Sequence, residues 1–300
     1  MSSGPVAPLA PGDVVGFVGL GRMGTPMARR LTAAGYRVCG FDVDESARAA
    51  LDEVDGATSA AHVAEVANGA RAIVLMLPHS RAVRQVLLDD GLLDAVPEAA
   101  LLIDMGSSDP MQTRELASEA ERRGVHLIDA PVSGGVKGAE EGSLTIMAGG
   151  PEELFRASTP MLEVLGKKVL LVGSVGAGHA LKALNNLLSA TSMLAAAEAM
   201  TIGQRFGLDP AVMLSAINGS SGRSWSTEYK FPRFVLPASY ASGFGLQLML
   251  KDVHIALDLA RATGAPAGLS ERVEAQWEQA GIDLPKDADH THIAKWVGER

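Results

Sequence analysis

Short apolar runs alternate with amphipathic stretches over the first half of the chain. Val14 to Val18, Tyr36 to Phe41, Ala72 to Leu77, Leu101 to Ile103 and Val125 to Ile128 are rich in Val, Leu and Ile. Each is bounded by Gly, Asp or Pro, the pattern of buried strands. Met23 to Ala34 and Pro110 to Arg123, which separate strands, predict helices. The second opens on Ser108-Asp109-Pro110, a capping side chain followed by proline at the first helical position. Strand and helix in alternation imply a parallel sheet covered on both faces. Two added strands, Ser143 to Ala148 and Lys167 to Val172, are expected around a helix from Pro151 to Leu165. Beyond Gly173 the pattern becomes helical throughout. A long helix around Lys182 ends near Gly207, and further helices are expected at about 210–218, 245–263, 267–280 and 288–298.

The expected organisation is therefore a loose tail over residues 1–12, an α/β domain over 13–173, and an all-helical domain over 174–300 that begins with a long interdomain helix. A chain of 300 residues is at the upper limit for one core, which agrees with two domains. A net charge of −9 argues against nucleic acid or an anionic membrane as the main partner. No stretch approaches the roughly 18 apolar residues of a membrane helix. Cys39 is the single cysteine, which excludes an intrachain disulfide and a zinc site built on several thiolates. The opening Met1-Ser2-Ser3-Gly4-Pro5 lacks the basic and apolar regions of a secretory signal, so a reducing, cytoplasmic setting is expected.

The first strand runs into Gly19-Leu20-Gly21-Arg22-Met23-Gly24, a G-x-G-x-x-G at a strand-to-helix junction. The first glycine permits the tight turn, the second lets backbone approach a pyrophosphate, and the third lets helix pack on strand. With strand, turn, helix and second strand in order, the N-terminal domain reads as a Rossmann doubly wound sheet that binds a dinucleotide. Asp42 ends the second strand, 18 residues beyond Gly24, where a carboxylate accepts from ribose hydroxyls and repels a 2′-phosphate. NAD is expected over NADP. Asp44 fits better as a helix cap. Leu77, Pro78 and Ser107 follow later strands on the carboxyl edge of the sheet, where ligands of such folds collect.

Lys182 lies in an apolar run, Gly178-His179-Ala180-Leu181-Lys182-Ala183-Leu184-Asn185-Asn186. Burial disfavours an ammonium, and a lysine made less basic can exchange protons near pH 7. Asn186 is on the same helix face, with Ser189 one turn further along. A lysine at such a place can also reach out to water along its apolar stem. Ser133-Gly134-Gly135, after another strand, can expose successive backbone N–H groups to an anion. His290 and His292 are read as surface or capping residues, and no metal site is expected.

Four segments in order resemble the β-hydroxyacid dehydrogenases, the family of 3-hydroxyisobutyrate dehydrogenase and tartronate semialdehyde reductase. They are Gly16 to Gly24, Asp129 to Gly135, Gly176 to Asn186, and Lys251-Asp252; a fifth, Asn218 to Trp225, is also similar. The resemblance implies hydride transfer between NAD and a small β-hydroxy acid. It implies Lys182 as general acid/base, Asn186 as its partner, and Ser133, Gly134 and Gly135 holding the substrate carboxylate. Lys251 would serve substrate and nicotinamide, and Phe244 would pack near the nicotinamide. A homodimer or homotetramer is the family habit. The tail from Asp287 to Trp296 looks more like relatives acting on polyhydroxylated acids such as L-threonate. Other readings are a tartronate semialdehyde reductase, an oxidative decarboxylase similar to 6-phosphogluconate dehydrogenase, an imine reductase, and an inactive dinucleotide-binding sensor.

Overall fold

The computed structural model describes residues 6–98 and 100–300. They form two compact units, the first ending at Lys182 and the second running Ala183–Arg300. In the first, six parallel strands are β1 (Val14–Val18), β2 (Arg37–Phe41), β3 (Ala57–Ser59), β4 (Ala70–Leu75), β5 (Leu101–Asp104) and β6 (His126–Asp129). Their spatial order, 3-2-1-4-5-6, is that of a doubly wound sheet. The sheet continues through β7 (Val132–Ser133), β8 (Leu144–Gly149) and β9 (Gly166–Gly173), with β8 antiparallel to β6 and β7 and parallel to β9. The helices of this unit are α1 (Gly24–Ala33), α2 (Glu45–Asp52), α3 (Ser80–Arg84), α4 (Leu92–Ala95), α5 (Pro110–Glu121), α6 (Gly135–Glu141) and α7 (Glu152–Leu165).

The apolar runs are continuous because both faces of the sheet are covered. Ala72, Val74, Leu101 and Ile103 enter one core cluster, while their neighbours Ile73, Leu75 and Leu102 enter another. Successive side chains of a strand point to opposite faces, so a strand buried on both needs apolar residues throughout. β4 starts and ends earlier than the apolar run predicts, which leaves Leu77 beyond the strand. The expected tail is shorter than residues 1–12. Leu9 is buried and its N–H donates to the Ala157 carbonyl at 2.8 Å, while Arg71 holds the Ala7 and Pro8 carbonyls. Met1 to Pro5 lie outside the described residues.

One unbroken helix, α8 (Ala177–Phe206), spans 30 residues, about 45 Å at about 1.5 Å per residue. Gly207, with φ +99°, ends it. The helical unit continues with α9 (Pro210–Asn218), a wide π-wound segment (Ser226–Val235), α10 (Leu246–Thr263), α11 (Gly268–Asp283) and α12 (His292–Gly298). Its core gathers Met193, Phe231, Trp277, Ile293 and Trp296. The Asp-Pro start recurs: Asp109 accepts from the Met111 N–H at 2.8 Å and Asp209 from the Val212 N–H at 2.9 Å. His290 corrects the surface reading, for it is buried ahead of α12. Its ring meets Phe244 edge-on at 5.7 Å between centroids, and its Nδ1 is 3.0 Å from the Phe244 carbonyl oxygen.

Candidate active site

The glycine turn is built by contacts that a side chain would break. A Cβ on Gly19 would lie 2.4 Å from the Met76 carbonyl oxygen, and one on Gly24 would lie 1.8 Å from that of Gly19. One on Gly21 would meet nothing within 4 Å. Protein therefore fills the space beside the first and third glycines and leaves open the space beside the second, where a pyrophosphate belongs. These residues fit a dinucleotide. Asp42 braces the turn, its Oδ2 accepting the Leu20 N–H at 2.6 Å and its Oδ1 the Asp44 N–H at 2.9 Å. Asp44 caps α2 through the Ser46 N–H, as expected. Arg22 is exposed and Met23 half-buried.

On the same sheet edge, a Cβ at Gly106 would come 2.6 Å from the Leu77 carbonyl oxygen, so the turns carrying Leu77-Pro78 and Ser107 abut. Ser108 is committed to the interior, donating to Asp104 Oδ2 at 2.8 Å. β7 ends at Ser133, and Gly134 and Gly135 follow with φ of +137° and +64°. Only glycine adopts such angles readily. Successive N–H groups in a turn of this kind suit an anion.

Asp129, at the end of β6, anchors the start of α8. Its carboxylate accepts the Gly176 N–H at 2.7 Å and the His179 N–H at 2.8 Å. Burial is the main influence on it and raises its pKa, against those hydrogen bonds and the nearby His179. His179 Nδ1 pairs with Thr113 Oγ1 at 2.8 Å. A Cβ on Gly178 would lie 2.1 Å from the Met147 carbonyl oxygen, so this helix turn lies directly on β8. Lys182 follows one turn later and is only 8% exposed. Its side chain is enclosed, where the alternative reading had it reaching out to water.

In the helical unit Asn186 is buried, and its amide donates to Asp252 Oδ2. Lys251 Nζ is 3.2 Å from the other Asp252 oxygen. Asp252 thus joins two expected site residues, a role its place beside Lys251 did not reveal. Lys230 is a further polar residue that sequence reasoning passed over. It is 7% exposed and donates to Ser189 Oγ at 2.8 Å. Burial lowers its pKa to about 8, with Asp289 opposing. The signal was a lysine between aromatics, Tyr229-Lys230-Phe231, in a segment with Pro232 inside it. Phe244 is half-buried against His290. Among the described residues His254, Glu274 and Glu278 bring potential ligand atoms within 4.8 Å of one another, but Arg261 is 3.6 Å from Glu274, as in a surface ion-pair cluster.

Residues 14–173 match the family model of the NAD binding domain of 6-phosphogluconate dehydrogenase. Residues 176–297 match the one described as NAD-binding of NADP-dependent 3-hydroxyisobutyrate dehydrogenase. The mitochondrial 3-hydroxyisobutyrate dehydrogenase of Mus musculus is 43% identical over 259 residues, covering 84% of this chain and 77% of the relative. The 2-(hydroxymethyl)glutarate dehydrogenase of Eubacterium barkeri is 40% identical over 253 residues, covering 84% of each. The solved Mycobacterium tuberculosis 3-hydroxyisobutyrate dehydrogenase with L-serine superposes with a TM-score of 0.90 at 32% identity, covering 95% of this chain and 99% of the other.

Proposed function

Since this chain belongs to the β-hydroxyacid dehydrogenases and is an NAD-dependent oxidoreductase of β-hydroxy acids, we propose that Lys182 is its general acid/base. The observation that carries this reading is the enclosure of Lys182 on α8, one turn before Asn186. NAD, when bound, supplies the two-electron acceptor. In oxidation, uncharged Lys182 takes the proton of the substrate hydroxyl; in reduction, its ammonium returns one. Asn186, fixed by Asp252, orients the substrate. Ser133, Gly134 and Gly135 hold the carboxylate, with Lys251 adding positive charge. Gly19 to Gly24 take the pyrophosphate and Asp42 the ribose hydroxyls. Leu77, Pro78 and Ser107 contact the cofactor, and Phe244 packs near the nicotinamide.

The substrate is a 2-substituted 3-hydroxypropanoate of the 3-hydroxyisobutyrate kind, on the strength of the relatives' names. L-threonate, tartronate semialdehyde and a catalytically dead sensor are not favoured. The enzyme works in the cytoplasm as a homo-oligomer. Leu181, Leu184 and Leu188, then Ile202 and Phe206, recur three or four residues apart on α8 and are exposed, as a self-association face would be. The test of the mechanism is Lys182→Ala. Turnover of 3-hydroxyisobutyrate should fall by about 10²–10⁴ with NADH affinity retained. Turnover near that of the wild type would refute the role.

A further inference from the structure

Two polar groups of the helical unit are buried with hydrogen-bonding capacity left over. Lys230 carries three N–H donors, and among the described residues its one hydrogen-bond acceptor is Ser189 Oγ, at 2.8 Å. Asp289, the carboxylate in electrostatic range of that ammonium, is already committed. It accepts from the Ser242 and Thr291 hydroxyls and from the N–H groups of Gly243, Phe244 and Thr291. It makes no ion pair with Lys230 among the described residues.

His290 completes the pair. It is 3% exposed, and its Nδ1 faces the Phe244 carbonyl oxygen, which can only accept. Nδ1 therefore carries the hydrogen, and Nε2 is a bare acceptor. That nitrogen is buried without a partner. Lys230 is close enough to His290 to lower its basicity, so donor and acceptor share one neighbourhood. Unsatisfied buried polar groups are rare in folded proteins, and each calls for an explanation, a bound polar group being one.

We propose that Lys230 and His290 bind a hydroxyl group on the substituent of the hydroxy acid. The occupant must accept from an ammonium and donate to an imidazole nitrogen. Among the substituents a hydroxy acid of this class can bring, a carboxylate cannot donate and a methyl group can do neither, whereas an alcohol does both, as water does in its absence. Position agrees with this, because Ser189, which holds Lys230, is one turn along α8 from Asn186 on the same face. The inference rests on Asn186 marking the substrate. It narrows the substrate class to 2-substituted 3-hydroxypropanoates whose substituent ends in a hydroxyl.

The experiment compares kcat/KM on 3-hydroxyisobutyrate with that on 2-(hydroxymethyl)- and 2-(2-hydroxyethyl)-3-hydroxypropanoate. The wild-type holoenzyme should favour one hydroxylated acid by about tenfold or more, since a buried polar site rejects an analogue that leaves it unpaired. Lys230→Met and His290→Phe should each collapse that ratio. If either variant fails to fold, Ser189→Ala, which removes one oxygen, should reduce the ratio in the same direction. A wild-type ratio near one, or a ratio unchanged in the variants while both activities fall together, would overturn the proposal and leave Lys230 as packing. The ratio is read with Lys182 intact, so the outcome for Lys182→Ala is separate.

Discussion

His290 and Lys230 are both held less basic than in water, and desolvation is the main cause for each. For His290 the Lys230 ammonium adds to burial, while Asp289 and the Phe244 carbonyl oppose, leaving a pKa of about 4. As pH falls from 6.5 towards 4, the unfolded chain takes up a proton that the folded one refuses, so stability is lost across that window. Asp289 titrates below its ordinary 3.8, outside the same window. His290→Gln, which cannot be protonated, should flatten the decline in urea midpoint between pH 6.5 and 4; a slope matching the wild type would exclude His290 as its source. The site was legible at this scale where backbone demanded a residue type, as at Gly19, Gly21 and Gly24, or where a charge stood in an apolar run, as at Lys182. Asp252 and Lys230 were not legible. Their partners Asn186 and Ser189 are 66 and 41 residues away in sequence, and no local pattern encodes such pairs.

Among the elements, the glycine turn separates space that protein fills from space kept for a ligand. Alanine at Gly24 drives a methyl into the Gly19 carbonyl and should cost about 1–3 kcal/mol in thermal or urea unfolding. Alanine at Gly21 meets no protein atom, so it should unfold as the wild type does but bind NADH about tenfold more weakly by fluorescence titration. Equal effects of the two on stability would contradict this division. The long buried strands and capped helices were readable because their apolar periods and Asp-Pro starts are local signals. β3 and β7, three and two residues long, are too short to carry a period. The π-wound Ser226–Val235 holds Pro232 within it, and a proline reads in sequence as a helix breaker.

For the whole molecule, the change from alternating strands and helices to helices alone was visible along the chain, and the observed units differ in that way. The proposed self-association had no such signal. Apolar residues on α8 read equally as core or as interface until their exposure was known, and Leu188 is 71% exposed. Leu188→Asp should lower the oligomeric state in sedimentation velocity with far-UV dichroism unchanged. An unchanged sedimentation coefficient would direct the search for the interface elsewhere.

Because α8 runs unbroken from Ala177 to Phe206, angular phase is conserved along it. Each residue turns the helix by about 100°, so one letter gained or lost between Ala183 and Asn185 would swing Asn186 and Ser189 away from Asp252 and Lys230 while leaving Lys182 in place. The gene segment for this helix can thus drift by exchange of letters but not by change of length, and length is the constraint that descendants of this chain inherit.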